Sequence, residues 1–181
     1  MFIEGLIFAL IIGYALKGKL KNLENVDIKG TYLVFISFLI EFFIVISINK
    51  GFFNIGKFTY ILNSIMYILL AIFIYFNRKN KYILLMGIGF LLNAVPIFLN
   101  GGAMPVSTKA AEIAGINLNI SKEGLYTLIN SNTRFWFFGD IIPLTVLRHF
   151  AISIGDIITA IGLMLFIITG MRKTPEIKIN K

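Results

Sequence analysis

Long apolar stretches separated by short basic clusters dominate this sequence and constrain its fold more than any other feature. A helix that crosses the hydrocarbon core of a bilayer needs about 20 predominantly apolar residues. Four stretches come close to that length, at residues 31–48, 58–76, 82–99 and 154–171, and a shorter one covers residues 2–16. Because lipid is the solvent that accommodates such helices, the sequence predicts a multi-pass integral membrane protein.

The composition agrees with a lipid-embedded chain. Hydrophobic residues make up 57% of the 181 residues and charged residues only 14%, whereas charged residues make up about a quarter of a soluble domain. No linker-like stretch separates a second domain, so residues 1–181 are predicted to form a single transmembrane domain. Cysteine is absent and no cofactor-binding motif occurs, so we expect neither a metal nor a cofactor.

The positions of the basic residues predict the orientation of the chain. Eleven of the 17 lysines and arginines lie at residues 17–29, at residues 78–81 and in the tail from Arg172, which share one side if all five stretches cross the membrane. Since cytoplasmic loops carry the excess of lysine and arginine, we expect an outer N-terminus and a cytoplasmic C-terminus in the cell membrane. This placement explains the net charge of +8 without a nucleic-acid partner.

Residues 100–153, between the fourth and fifth stretches, are predicted to form an outer segment. Charged residues and Pro143 interrupt its apolar part, residues 125–150, and a sixth crossing there would place the basic tail outside. Such interrupted runs are typical of re-entrant or interfacial segments. Ser107 and Gly115 bracket a predicted short surface helix. The predicted fold is therefore an all-α bundle of about five transmembrane helices with a partly helical, re-entrant or interfacial outer segment.

One face of the fourth stretch is small or polar. Gly89, Asn93, Pro96 and Asn100 are spaced so that they fall on the same side of a helix. This face either contacts another helix closely, with asparagine bonding across, or forms one wall of an outward-facing polar cavity.

The polar face leads into a turn with the sequence Asn-Gly-Gly-Ala-Met-Pro-Val at residues 100–106. Two consecutive glycines permit positive φ angles, and Pro105 forces Met104 toward extended geometry. The turn either ends the fourth helix or presents free backbone N–H groups as an anion-binding nest.

The fifth stretch opens with the pattern of a capping box. Ser153 is the predicted N-cap, and Asp156 lies three residues later, where the helix dipole also favours a carboxylate. This pattern accounts for Asp156 without any chemistry. A small, polar face continues through Thr159 and Gly162 and can pack on the face of the fourth stretch.

Charged residues within apolar, membrane-associated stretches are costly and indicate either mutual pairing or function. Asp140 lies in the outer segment, with Arg134, Arg148 and His149 near it in sequence. An ion pair of Asp140 with one of the arginines is the structural interpretation. Glu41 lies inside the second stretch, where a charge costs roughly 3 kcal/mol, so we expect it to face the interior of the bundle.

These elements together resemble an uncharacterised bacterial multi-pass membrane protein family, the domain of unknown function five-three-one-seven. The resemblance covers nearly the whole chain and rests on residues 100–106, on Gly-Asp-Ile-Ile-Pro at residues 139–143 and on Ser-Ile-Gly-Asp at residues 153–156. The family implies no established activity. It does imply that the marked residues form one outward-facing site.

Two functional hypotheses follow, and the sequence leaves open whether the protein is an enzyme. The first is a non-enzymatic protein that binds a lipid headgroup or another membrane protein. The second is an intramembrane enzyme acting on a lipid-linked phosphorylated substrate, with Asp140 or Asp156 as base and a basic residue of the outer segment holding the anion. An ion pathway through Glu41 is disfavoured, because so small a bundle leaves little room for alternating access. The candidate ligand-binding residues are Asn93, Asn100, Gly101, Gly102, Met104, Pro105, Arg134, Asp140, Ser153 and Asp156.

A reporter that is active only in the cytoplasm tests the orientation. We expect activity from a fusion to Lys181 and none from a fusion after Ser107, because the distribution of basic residues places these positions on opposite sides. Activity at Ser107, or silence at Lys181, would contradict the predicted topology.

Overall fold

Four long helices form the frame of the molecule. The computed structural model describes residues 2–52, 56–115, 125–145 and 149–173. The helices in these ranges are α1 (Phe2–Ala15), α2 (Thr31–Asn49), α3 (Lys57–Phe76), α4 (Lys81–Leu99), α5 (Thr108–Ile113) and α6 (Ile154–Arg172). By length and composition α2, α3, α4 and α6 are long and apolar enough to cross a membrane.

The predicted first crossing is shorter than the other four. The 14 residues of α1 rise about 21 Å, less than the hydrocarbon core of about 30 Å. α1 lies along only part of α6, because Gly5 faces Ala160 and Met164 while Gly13 already faces Met171. The structure therefore has four candidate membrane-spanning helices and does not establish α1 as a fifth.

α4 and α6 form the closest helix pair. A Cβ atom added to Gly89 would lie 2.5 Å from the Gly155 carbonyl oxygen and would overlap the Thr159 hydroxyl. In the same way, a Cβ on Gly162 would lie 2.7 Å from Met86 Cγ. Glycine at these positions lets the two backbones approach each other. The predicted packing of the polar face of the fourth stretch on the fifth is confirmed.

The remaining helices leave a cleft in the bundle. α2 packs on α3, and α1 and α4 both pack on α6, whereas α3 and α4 contact each other much less. A buried cluster of Leu33, Phe73 and Ile83 joins the α2–α3 pair to the other group near the start of α4. One group of helices is α2 with α3, and the other is α1 with α4 and α6. Between the cluster and the opposite end of the bundle, a cleft separates the two groups.

The segment between α4 and α6 contains strands as well as a helix, so the all-α prediction is wrong for this part. β1 (Met104–Val106) pairs in parallel with β2 (Tyr126–Leu128), and β3 (Ile142–Leu144) pairs antiparallel with β4 (Phe150–Ile152). Pro105 and Pro143 occupy β1 and β3, where proline disfavours a helical alternative. In the described part of residues 125–150 there is no sixth crossing helix, and the re-entrant or interfacial position stays a prediction.

The predicted short helix between Ser107 and Gly115 is confirmed as α5. Ser107 Oγ accepts a hydrogen bond from Ala110 N, and Gly115 ends the helix with a φ of 70°. The predicted surface position of this helix is wrong in part, since Ala110, Ala111 and Ala114 are buried.

The two ends of the bundle are named as follows. The end at which α4 ends and α6 begins is called the segment end, and the opposite end is called the basic end.

Gly89→Ala tests the close contact of α4 and α6. The added methyl group meets the Gly155 backbone, which cannot move aside as a side chain can, so we expect unfolding free energy to fall by about 1–3 kcal/mol. Thermal unfolding of the detergent-solubilised protein measures this. Gly5→Ala is the control, because its methyl group would lie 3.8 Å from the nearest atoms and alanine favours a helix. Equal melting temperatures for the two variants would contradict the close contact.

Candidate functional site: a cavity lined by carboxylates

A cavity of about 170 Å³ lies in the cleft near the segment end. Its walls come from α2, α3, α4, the first turn of α6 and the segment between α4 and α6. Phe38, Leu70 and Phe90 contribute apolar surface to it. The polar side chains that line it are Ser37, Glu41, Asn63, Tyr67, Asn93, Tyr126, Asp140 and Asp156.

The backbone of Asp140 is fixed beside β1. Asp140 N donates to Pro105 O at 2.8 Å, and Ser107 N donates to Asp140 O at 3.0 Å. The preceding Gly139 makes this approach possible, because a Cβ there would overlap the Pro105 carbonyl oxygen. The Gly-Asp pair therefore has a local reason: glycine allows the strand contact and so positions the aspartate.

A short hairpin returns the chain from Asp140 to the start of α6. In the antiparallel pairing of β3 with β4, Ile142 lies opposite Ile152. Asp140 precedes the first strand by two residues, and Ser153 follows the second directly. The hairpin thus brings two aspartates that are 16 residues apart in sequence to the same cavity.

Asp140 has an unsatisfied carboxyl group. The residue is only 4% exposed, and its Oδ1 atom has no hydrogen-bond partner among the described residues. The expected ion pair with Arg134 is absent there, and Arg148 lies outside the described residues. Burial raises the pKa of Asp140 well above its usual value of 3.8, and the negative charge of Asp156 raises it further.

Asp156, in contrast, is fully occupied by structural bonds. Its backbone N–H donates to Ser153 Oγ at 2.9 Å, and Ser153 N donates to its Oδ2 at 3.2 Å, which confirms the predicted capping box. Asn93 Nδ2 donates to Asp156 Oδ1 at 2.9 Å, and Ser153 Oγ donates to Asn93 Oδ1 at 2.7 Å. These bonds join α4 to the cap of α6 and leave Asp156 with a mainly structural role.

The turn after α4 caps the helix, as predicted. Gly101 and Gly102 have φ angles of 79° and 89°, which glycine adopts without strain. Gly102 N donates to Ile97 O at 2.8 Å, the bond that closes a helix C-terminus in the Schellman motif. Asn63 Nδ2 on α3 donates to Gly102 O at 2.8 Å. The turn therefore uses this N–H group internally and contributes shape to the cavity.

Glu41 lines the cavity from α2, one turn beyond Ser37. It faces the space between the helices, as expected, although its side chain is exposed and not buried. Ser37 is buried, and its Oγ donates to Leu33 O at 2.8 Å. The carboxylate of Glu41 thus shares the cavity with Asp140 and Asp156.

The charge around the cavity is negative. Among the described residues that line it there is no lysine, arginine or histidine. Arg134 is exposed and bonds Asn100 through its backbone, with Arg134 N donating to Asn100 Oδ1 at 2.9 Å. His149 Nδ1 donates to Ala114 O at 2.8 Å, which ties β4 to the end of α5. In the described ranges no three carboxylate or imidazole groups are placed to hold a metal ion.

The structure separates the predicted site residues into two sets. Those that line the cavity are Glu41, Asn93, Gly102, Met104, Asp140 and Asp156. The others support it or lie elsewhere, namely Asn100, Gly101, Pro105, Arg134 and Ser153. Whether the first set binds a ligand stays a prediction.

Sequence reasoning missed Asn63 and Tyr67 on α3. Asn63 is 4% exposed, and Tyr67 lies edge-on to Phe98 with ring centroids 5.3 Å apart. The available signal was an asparagine inside an apolar stretch, which indicates a polar partner on another helix. Asn63 and Tyr67 are four residues apart and therefore face the same side of α3.

The long apolar helices indicate a helical membrane protein, and a polar cavity lies among them. It belongs to a family of unknown function (DUF5317), which matches residues 25–168. The predicted family resemblance is therefore confirmed. The chain is also similar to an uncharacterized protein of Thermotoga maritima, with 29% identity over 170 residues that cover 93% of this chain and 90% of that protein. No solved structure shows a significant match.

Asp140→Asn should make the protein more stable at neutral pH. Folding raises the pKa of this carboxyl group above its unfolded value of 3.8. As the pH rises from the unfolded value through the raised folded value, the unfolded state releases the proton first, so the folded protein loses stability relative to the unfolded chain. An amide carries no such penalty. We expect the variant's higher melting temperature in detergent at pH 7 to converge on that of the wild type toward acid pH.

The control is Glu112→Gln, which removes an exposed acid on α5 and should leave the melting temperature unchanged at every pH. A loss of stability in Asp140→Asn across the whole pH range would show instead that the carboxylate has a stabilising partner.

Proposed function

We propose that the protein binds a membrane amphiphile, such as a lipid, and that the cavity receives a positively charged head group of the ammonium type. The observation that carries this proposal is the Oδ1 atom of Asp140, which is buried at the cavity and has no hydrogen-bond partner among the described residues. A buried polar atom without a partner costs free energy, and native proteins rarely retain one. An ammonium group supplies three donors together with the opposite charge.

The other groups around the cavity support a cationic head group. Glu41 and Asp156 add negative charge to the potential that Asp140 creates. A phosphate group would meet these carboxylates without a basic side chain among the described lining residues, so like charges would repel it. Asn63 and Tyr67 add polar groups that can orient a ligand.

The walls of the cavity favour binding over transport. Phe38, Leu70 and Phe90 contribute apolar surface to the cavity, and between the helices the space beyond Phe38 and Phe90 is lined by apolar residues such as Val34 and Met86. An ion that entered from the segment end would therefore meet no polar path in that direction. A space of this size between helices also suits a head group better than a folded partner protein.

An enzyme that acts on a lipid-linked phosphorylated substrate remains the second proposal. It is supported by the raised pKa of Asp140, because a carboxyl group titrating nearer to neutral pH suits general acid–base catalysis. The anion clamp of that mechanism is less well supported, since Arg134 and His149 do not line the cavity. Arg148 lies outside the described residues.

The preference for a cationic head group can be measured at constant chain length. Octylammonium and octanoate carry the same apolar chain and opposite charges. We expect the purified protein in amphipol to bind octylammonium about tenfold to a hundredfold more tightly by calorimetry, as a charge-assisted hydrogen bond predicts. Asp140→Asn should remove most of this difference, and the matched control Glu112→Gln should keep it.

Equal affinities for the two probes in the wild type would overturn the proposal, and so would a preference that persists in Asp140→Asn. Covalent change of a membrane lipid incubated with the protein, detected by mass, would favour the enzyme instead.

A further inference from the structure

A second cavity lies beside the first, on its side toward the basic end. It has a volume of about 390 Å³ and presents only apolar surface, from side chains of α1, α2, α3, α4 and α6 and from Ile28. Phe38 and Phe90 line both cavities. The two spaces are therefore neighbours in the cleft, with the polar cavity toward the segment end and the apolar cavity below it, and a chain that occupied both would pass between Phe38 and Phe90.

The apolar cavity is elongated along the helices. On α2 it extends from Phe38 to Thr31, and on α4 from Phe90 to Ile83, which is about 10 Å at the rise of a helix. Its far end adjoins the buried Leu33–Phe73–Ile83 cluster, which shares Ile83 and Phe73 with the cavity wall. This shape suits an extended hydrocarbon chain, whereas a helix, about 10 Å wide, would be too thick.

We infer that the apolar cavity holds the hydrocarbon chain of the same molecule whose ammonium group occupies the polar cavity. This inference rests on the proposed function and narrows it to a class of ligand, the long-chain ammonium amphiphiles, in which the charged nitrogen is attached to or close to a single chain. Water does not suit the apolar cavity, because it would find no polar partners there. Along the cleft the polar cavity is followed by the apolar one, as the head group of a membrane lipid is followed by its hydrocarbon chain within one leaflet.

The affinity for such a ligand depends on the length of its chain. Burial of one methylene group in an apolar site strengthens binding about fourfold. The gain should continue until the chain reaches the end of the cavity, about 10 Å below Phe38. Longer chains should add little.

Calorimetry with ethyl-, butyl-, hexyl- and octylammonium on the protein in amphipol tests this inference. We expect octylammonium to bind the wild type on the order of 100-fold more tightly than butylammonium. Val34→Phe fills the cavity one turn below Phe38 and should reduce this ratio to nearly one, with ethylammonium affinity unchanged. Dodecylammonium extends the series to the far end of the cavity, where Thr31→Phe should weaken dodecylammonium and leave butylammonium unchanged.

Ala71→Phe is the matched control, because it adds the same aromatic ring to a groove between α3 and α4 at a position that lines neither the polar nor the apolar cavity. It should leave the chain-length series as in the wild type. If Val34→Phe and Thr31→Phe both retain the wild-type series, the chain lies elsewhere and the inference is wrong.

The head-group proposal is tested by a separate measurement. Ethylammonium has almost no chain, so its affinity reports on the polar cavity alone. If Asp140→Asn does not weaken ethylammonium binding, the proposed function is wrong, and the assignment of both cavities to one ammonium amphiphile is overturned with it.

Discussion

The close contact of α4 with α6 fixes the geometry on which the rest of the structure depends. Gly89 touches the Gly155 backbone, and this approach brings Asn93 within hydrogen-bond distance of both Ser153 and Asp156. The two ends of the segment between these helices are thereby held close together. β1 and the β3–β4 hairpin must then fold back over the segment end, and in doing so they place Asp140 beside β1 and above the cleft.

α4 packs far more extensively on α6 than on α3, and this leaves a cleft between the two groups of helices. α3 instead packs on α2, and the two groups are joined by the Leu33–Phe73–Ile83 cluster near the basic end. Glu41, Asp140 and Asp156 all line the remaining space, and carboxylates that share a site without a counter-charge repel each other. The proposed cationic head group would lower this repulsion.

The parts of this structure that sequence predicts are the local ones. The capping box at Ser153, the helix end at Gly101 and the glycine face around Gly89 depend on residues within a turn or two of each other, so their spacing reveals them. The strands were not predicted because β1 pairs with a strand that begins at Tyr126, 22 residues after Met104. Such distant pairing leaves no periodic pattern of apolar residues in the sequence. The same limit applies to Asn63, whose partner Gly102 lies on a different element, and to α1, whose length does not reveal how much of α6 it covers.

The two Gly-Asp pairs show why tertiary contacts decide which carboxylate is available. Gly139 and Gly155 both allow close backbone approach, and each is followed by an aspartate at the same cavity. Asp156 receives bonds from Asn93 and from its own helix cap, so both of its carboxylate oxygens have hydrogen-bond partners within the fold. Asp140 has its backbone bonded to β1 but its Oδ1 atom lacks a partner in the described structure. A carboxylate in such a position costs stability that a neutral or apolar group would not, so this buried oxygen atom is the feature of the described structure that the proposed head group best accounts for.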